Sequence, residues 1–428
     1  MNSTERMILG NDCIYSGDPE ETGLNRNVLI VGGTGSGKTK SYVEPELMEA
    51  LRVENPNNKC VILTKRDIPD RYIPLFEAAG FTVYDLDLSD SEKGNCCYDP
   101  LAYVKSEEDI SDLAHAIVMA NERKEHSNAD PFWDESSEQL LGAEIGATLM
   151  TKNKPTFADV LDLHFSLKIQ ESGCGITTSL DSLFKTIEKA APDCYAAVCW
   201  KTFREAAAKT AKLIYVSMNP TLRAFTTSIR NNMRNKPPVD FDKFASEKSI
   251  LFITTSPVKK ALHGLANIFV SQAISELFTI ADESAAGALE IPTDIIFDDF
   301  ATGAKVSDMP EKLSICRAKG IAFSGILLQS ESQLKRMYGE YEAIEIIDQC
   351  DSYVFFGGNN YETAKALSLK MNVPLDEILY LPVGRIIVFR RGQKPVFSTR
   401  YDIFHDEFYQ RITQSHTGQK DDPWPRDR

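Results

Sequence analysis

The sequence predicts an α/β protein built on a mainly parallel sheet, with a large helical insertion in mid-chain. Three observations predict it. Short continuous apolar runs alternate with amphipathic stretches in both the first and the last part of the chain, the pattern of strands buried on both faces between covering helices. The first strong run opens straight into a glycine-rich loop, GGTGSGKT, at residues 32–39. Between about residues 107 and 235 apolar residues recur at helical spacing, and no convincing strand pattern is visible.

The first strand is NVLIV (27–31), followed by the loop and then by helix-forming residues, with Pro45 expected to kink or end that helix after about two turns. KCVILTKRD (59–67) and FTVYDLDL (81–88) are the second and third buried strands, and residues 70–79 between them have helical spacing. In the insertion, Ile110, Leu113, Ala114 and Ile117, then Leu140, Leu141, Ile145 and Leu149, mark helical faces. Strands resume at SILFITT (249–255), TDIIFDD (293–299), IAFSGILLQ (321–329) and SYVFFGG (352–358). RIIVFRRGQKPVFSTRY (385–401) reads as a terminal hairpin turning at Gly392, and a polar tail follows. The expected division is 1–104 and 237–410 for a split nucleotide-binding domain, 105–236 for the all-α insertion and 411–428 for the tail.

At 428 residues the chain is longer than one compact core usually holds, which fits that division. Its net charge of −15 argues against a protein that coats nucleic acid with its whole surface, but leaves room for a local basic path. Nine cysteines without a C-x-x-C pair, two of them adjacent at Cys96 and Cys97, indicate buried thiols in a reducing compartment. The six histidines show no ligand spacing against them, which argues against a metal held by Cys and His. The first 25 residues lack the basic and apolar regions of a signal peptide, and no run approaches the roughly 20 apolar residues of a membrane span. The expectation is a cytoplasmic protein, with any association at the inner face of the cell membrane made through partners.

Charge within the insertion is unevenly placed. From 107 to 144 eleven acidic residues face only Arg123 and Lys124, whereas from 201 to 236 eight basic residues face only Glu205. The two stretches read either as solvated helical faces or as an insertion with one face prepared for phosphates.

The chemistry is carried by a few segments. Gly32, Gly33, Thr34, Gly35, Ser36, Gly37, Lys38 and Thr39 fit G-x-x-x-x-G-K-[ST] between a strand and a helix. In such a loop backbone N–H groups turn toward phosphates, Lys38 reaches the β- and γ-phosphates and the Thr39 hydroxyl ligates Mg²⁺. ATP with Mg²⁺ is the expected cofactor pair. Asp298 and Asp299 end an apolar strand, where ligands sit in open parallel sheets. They read either as the metal-shell acid and the group that orients the attacking water, or as a strand-ending cap. Gln329 ends another strand and reads either as a γ-phosphate or water contact or as a turn residue. Arg317, just before that strand, reads either as an arginine finger toward a neighbouring subunit or as a surface arginine, with Lys319 an equal candidate.

With these segments in hand, the chain resembles the type IV secretion coupling proteins, the TraG/TraD-type ATPases of conjugative DNA transfer, and most of all their Gram-positive versions. The resemblance runs from about residue 27 to 401 and rests on NVLIVGGTGSGKTKSYVEPEL, YDPLAYV, DPFWDESSEQLLGAEI, the segment from IIFDDF to KRMYG, CDSYVFFGGNNYETAKALS and LPVGRIIVFRRGQKPVFSTRYDI. It implies a RecA-like P-loop NTPase core with an inserted all-α domain, assembled as a homo-hexamer when active. It further implies a motor that delivers single-stranded DNA bound to a relaxase to the proteins of a type IV secretion channel. By the resemblance Asp298 matches the metal-shell aspartate, Asp299 a position that is usually glutamate, Gln329 the strand-end glutamine and Arg317 a basic position acting between subunits. Three departures stand out: LTKRDIPD in place of an Asp-Pro-Lys-Gly-Glu element, the shorter Asp299, and no transmembrane helices ahead of the core. The first two bear on the rate of hydrolysis. The alternative is a nucleotide-gated adaptor with little turnover that recruits substrate through the helical domain. For strand contact the candidates are the basic run 201–236 with Lys259 and Lys260.

Overall fold

The computed structural model describes residues 4–90, 92–119, 131–172, 175–256, 258–259, 261–300, 306 and 308–416. Its strands are β1 (Arg6–Gly10), β2 (Cys13–Ser16), β3 (Val28–Val31), β4 (Asn58–Leu63), β5 (Thr82–Asp87), β6 (Ile169–Ser172), β7 (Gly175–Thr178), β8 (Ser249–Thr254), β9 (Thr293–Phe297), β10 (Ile321–Leu328), β11 (Ser352–Phe355), β12 (Arg385–Arg390) and β13 (Val396–Thr399). Nine of them form one sheet in the order β13-β12-β11-β3-β10-β9-β4-β8-β5. The pairs β11/β3, β3/β10, β10/β9, β9/β4 and β4/β8 are parallel, and the terminal hairpin β12/β13 adds antiparallel strands beside β11. Every residue of β3, β4, β8, β9, β10 and β11 is buried, the expected state of strands covered on both faces.

One consequence of this order matters for the site. β10 lies between β3, which leads into the glycine loop, and β9, which ends at the acid pair. Pairing of Leu328 with Val31 and of Ile326 with Phe297 brings the carboxyl ends of the three strands to one edge.

The chain divides into two compact units. The first comprises residues 1–85, 240–255 and 277–428, and the second 86–239 and 256–276. The first unit has an apolar core in which Val28, Ile30, Val61, Phe252, Ile296, Leu327 and Val354 of the strands meet Tyr42, Leu47, Tyr72 and Phe76 of the helices. Fully burying each such side chain is worth about 1.5–3 kcal/mol. Beneath the opposite, amino-terminal edge lies a buried ionic cluster. Lys59 pairs with Glu5 and, at 2.6 Å, with Asp294, while Arg26 pairs with Asp294 at 2.7 Å. Glu5, Glu46 and Asp294 stand close enough together to suggest a metal site, but the ammonium and guanidinium groups already meet their charge.

The second unit is mainly helical. Helix Phe132–Thr151 runs through it with Leu140, Leu141, Ala143, Ile145 and Ala147 all buried. Its glycines Gly142 and Gly146 lie where a Cβ would come within 3 Å of Tyr195 and Ala196, so the helix Tyr195–Arg204 packs directly on its backbone.

The structure corrects three expectations. The insertion does contain strands: β6 and β7 form an antiparallel hairpin. Most of its side chains are exposed or half-exposed and only Ile176 is buried, so no apolar alternation announces it. Of the kink or end expected at Pro45, the end does not occur. Thr39–Val43 is wound in the wider π register, with the Glu44 N–H donating to the Thr39 carbonyl, and Glu44–Arg52 continues as α-helix with Pro45 in its first turn. The wider turn moves aside the carbonyl that the proline ring would strike. Finally, the stretch Leu262–Glu283 is long and apolar enough to cross a membrane by composition. Leu265, Ala266, Phe269, Ala273 and Leu277 along it are buried inside the protein, which accounts for its apolarity.

Candidate nucleotide site

The site is assembled at the carboxyl edge of the sheet in the first unit. β3 ends at Val31, and the loop that follows is tied to both neighbouring strands. The Gly32 N–H donates to the Leu328 carbonyl at 3.0 Å, and the Gly33 N–H to the Gly357 carbonyl at 2.9 Å. A Cβ on Gly32 would lie 2.5 Å from the Phe356 side chain, so the loop can take this path only with glycine there. Gly37 has φ +85°, a conformation that favours glycine, and it places Lys38 at the start of the helical turn.

Lys38 Nζ donates to the Gly32 carbonyl at 2.5 Å and the Gly33 carbonyl at 3.3 Å, folding its ammonium over the mouth of the loop. Burial lowers its pKa, against the opposing pull of Asp298 and Asp299. The Thr39 hydroxyl donates to Asp298 Oδ1 at 2.9 Å. Two elements more than 250 residues apart in sequence therefore meet side chain to side chain. Burial pushes the Asp298 carboxyl up to about 6, reinforced by neighbouring Asp299 and opposed by the Thr39 hydrogen bond and Lys38.

The acid pair is held by its flanks. The Asp298 N–H donates to the Ile62 carbonyl of β4 at 2.9 Å, and Phe297 and Phe300 are fully buried and stack edge to face, 4.8 Å between ring centres. The turn between them puts Asp299 at φ +67°. Aspartate tolerates this region better than most residues, yet it is a strained position and strain of this kind collects at functional sites.

Gln329 follows Leu328 directly, so its backbone stands between the glycine loop and the acid pair, with its N–H bound to the Gln333 side chain at 2.8 Å. Arg317 is elsewhere. It precedes β10, at the amino edge of the sheet, where it donates to the Pro19 and Gly23 carbonyls at 3.0 and 3.3 Å and faces Glu20. Lys319 pairs with Asp282 at the same edge. The structure thus brings together Lys38, Thr39, Asp298, Asp299 and Gln329 but not Arg317. The LTKRD segment is occupied with local pairing, since Arg66 forks onto Asp85 and also meets Asp70 at 2.8 Å. One residue that the sequence did not single out touches the loop: Arg400 Nη1 donates to the Ser36 carbonyl at 2.6 Å. An isolated arginine after a hairpin carries no motif that would have marked it.

In the second unit part of the basic run is ion-paired. Lys201 pairs with Glu188, Arg204 with Asp181, and Arg230 and Arg234 both with Asp162. Lys236 donates to the carbonyls of Lys93 and Gly94. Lys209, Lys212 and Arg223 are exposed and share one face along and just beyond helix Ala208–Leu222, beside the exposed Val216. Lys259 donates to the Ser89 carbonyl at 2.8 Å, and Lys260 lies outside the described residues, as do Glu122, Arg123, Lys124, Glu125 and Asp130.

Comparison with known proteins bears on this geometry. The sequence profile of type IV secretory system conjugative DNA transfer proteins matches residues 1–371. The chain belongs to that family. Comparison of this conjugative DNA-transfer protein with curated proteins returned no sequence match. Among solved structures it is similar to the bacterial conjugative coupling protein TrwB lacking 70 N-terminal residues, in a trigonal form with sulphate, at TM-score 0.63 and 17% identity over 88% of this chain and 85% of that one. TrwB in complex with the non-hydrolysable ATP analogue ADPNP gives TM-score 0.64 and 16% identity over 88% and 85% of the two chains. VirB4 of Thermoanaerobacter pseudethanolicus gives TM-score 0.55 and 11% identity over 96% and 98%. At these identities the likeness concerns the fold, which is that of an α/β P-loop NTPase with a mostly parallel central sheet. The family is one of ATPases that serve conjugative DNA transfer.

Proposed function

We propose that this protein is an ATP-hydrolysing motor that moves single-stranded DNA, or a relaxase–DNA conjugate, toward a type IV secretion channel. The observation that carries the reading is the Thr39–Asp298 contact, which joins the phosphate loop to the strand-end acid. A hydroxyl and a carboxylate side by side are hard oxygen donors of the kind Mg²⁺ takes, and among the described residues no salt bridge occupies the buried Asp298. TrwB structures with ADPNP and with ADP and Mg²⁺ support the same cofactor pair.

Mg²⁺, which Thr39 and Asp298 would hold, would supply positive charge against the charge of the phosphates. The chain's own residues do the rest. Backbone N–H groups of the loop other than those of Gly33 and Ser36, which are bonded to the Gly357 and Gly33 carbonyls, cradle the phosphates, and Lys38 moves its ammonium from the loop carbonyls to the phosphate oxygens. Asp298 holds the metal shell together with Thr39. Asp299 orients the attacking water and accepts its proton, from a turn fixed by Phe297 and Phe300. Gln329, on the strand between, contacts the γ-phosphate or the water. Arg317 sits at the far edge of its own sheet, so it can meet a nucleotide only on a neighbouring copy, which favours a ring such as a homo-hexamer. Lys209, Lys212 and Arg223 are the basic residues best placed to meet a DNA strand.

The test is ATP-dependent displacement of streptavidin from single strands biotinylated at either end. Displacement that requires ATP supports the motor. ATP turnover without displacement from either end contradicts it. A nucleotide-gated adaptor is the second reading, favoured by the short Asp299 and by the ion-paired LTKRD segment; it requires nucleotide binding with little turnover.

A further inference from the structure

The terminal hairpin reaches the phosphate loop through a single side chain. Arg400 follows β13, and its backbone N–H donates to the Gly384 carbonyl, just ahead of β12, at 3.0 Å. Its side chain then passes Gly384, where a Cβ would lie 3.6 Å from Nη2, and arrives at Gly37, where a Cβ would lie only 2.5 Å from Nη1. Both glycines have positive φ, +91° at Gly384 and +85° at Gly37. Gly37 therefore makes room for the guanidinium as well as for the loop's turn. At the end of this path Nη1 donates to the Ser36 carbonyl at 2.6 Å. Among the described residues Arg400 makes no ion pair, so its charge is directed at the loop rather than at a carboxylate.

The consequence follows from peptide geometry. In a trans peptide the carbonyl and the next N–H point in opposite directions. Holding the Ser36 carbonyl toward Arg400 turns the Gly37 N–H the other way, toward the side where the loop cradles phosphate. We propose that Arg400 is a positioning residue of the nucleotide site: it pins the Ser36–Gly37 peptide so that the Gly37 N–H is presented to a nucleotide phosphate. The site thus extends to the β12–β13 hairpin, and this rests on the reading of residues 32–39 as the nucleotide loop.

The experiment is equilibrium binding of a fluorescent ADP with Mg²⁺ to the full chain and to Arg400→Ala and Arg400→Lys, alongside melting temperatures without nucleotide. A charge-assisted hydrogen bond lost from the loop is expected to weaken binding about tenfold in Arg400→Ala. Arg400→Lys, which keeps a cationic donor, is expected to return to within about threefold of the wild type, and the nucleotide-free melting temperatures stay together. Hydrogen exchange over residues 32–39 of nucleotide-free Arg400→Ala should be faster than in the wild type. Binding by Arg400→Ala within about twofold of wild type overturns the proposal, and so does weakening that is matched by a loss of nucleotide-free stability. A wild-type chain that fails to bind the ADP probe would instead remove the nucleotide reading itself, and the positioning role with it.

Discussion

The Thr39 hydroxyl donates to Asp298 Oδ1 at 2.9 Å, although the two residues follow different strands, β3 and β9, that β10 separates. Burial sets the ionisation of Asp298, and this contact opposes it by favouring the charged form. Its carboxyl is raised by burial to about 6, so folding without metal favours the protonated form, and that contribution to stability is lost as pH rises through about 6. Metal requires the opposite state. Mg²⁺-dependent nucleotide binding should therefore strengthen as pH rises from 5 to 7, with proton release on binding below about 6, measurable by calorimetry in buffers of different ionisation enthalpy. Asp298→Asn should remove that pH dependence and lower turnover by at least about 100-fold.

Asp299 separates strain from chemistry. Its φ of +67° is a position that glycine would occupy freely. Asp299→Gly should leave thermal stability unchanged or raise it by roughly 0.5–1 kcal/mol while lowering turnover about 100-fold or more. Thermal melts and phosphate release on one preparation check both parts. A variant that turns over like the wild type would leave Asp299 with a turn-forming role alone.

Asp99 gives a stability prediction for the second unit. It is buried, its Oδ1 accepts from the Leu101 and Phe157 N–H groups at 3.1 and 2.9 Å, and burial raises its carboxyl to about 6 despite those bonds. Its favourable contribution is fully present below the ordinary aspartate range and is lost as pH rises through about 6. Asp99→Asn keeps an oxygen for both N–H groups without a charge to bury. It should be more stable than the wild type at pH 8 and lose that advantage at pH 4, as read from melting temperatures.

Lys59 tests the ionic cluster at the other edge of the sheet. It is fully buried between Glu5 and Asp294, so Lys59→Met leaves two buried carboxylates with Arg26 as their nearest cation. Removing one partner of such a group costs about 3–5 kcal/mol. Denaturant titration should show that loss, and a near-neutral result would mean the cluster is dispensable to the fold.

The parallel core was legible because strands buried on both faces have to be continuous apolar runs, as VLIV, SILFIT and IAFSGILL are. The loop was legible because phosphate recognition by backbone fixes glycines at set positions. What escaped had weaker local signatures. β1 and β2 are five- and four-residue strands whose partner is each other, and the β6–β7 hairpin is mostly exposed, so neither imposes a clear pattern. The π turn at Thr39–Val43 answers a conflict between Pro45 and the loop's helix that propensity alone resolves as a break. Arg400 was invisible because its role depends on Ser36, 364 residues away in sequence. The basic run was legible as charge but not as pairing: Glu188, Asp181 and Asp162 meet Lys201, Arg204, Arg230 and Arg234 once the helices pack.

The central claim is that this site turns over ATP in the service of DNA movement. Its most direct test is phosphate release by the purified chain, with and without single-stranded DNA, beside Lys38→Ala. The account predicts turnover that the DNA raises severalfold and that the substitution abolishes. Tight ATP binding with no turnover under either condition would contradict it.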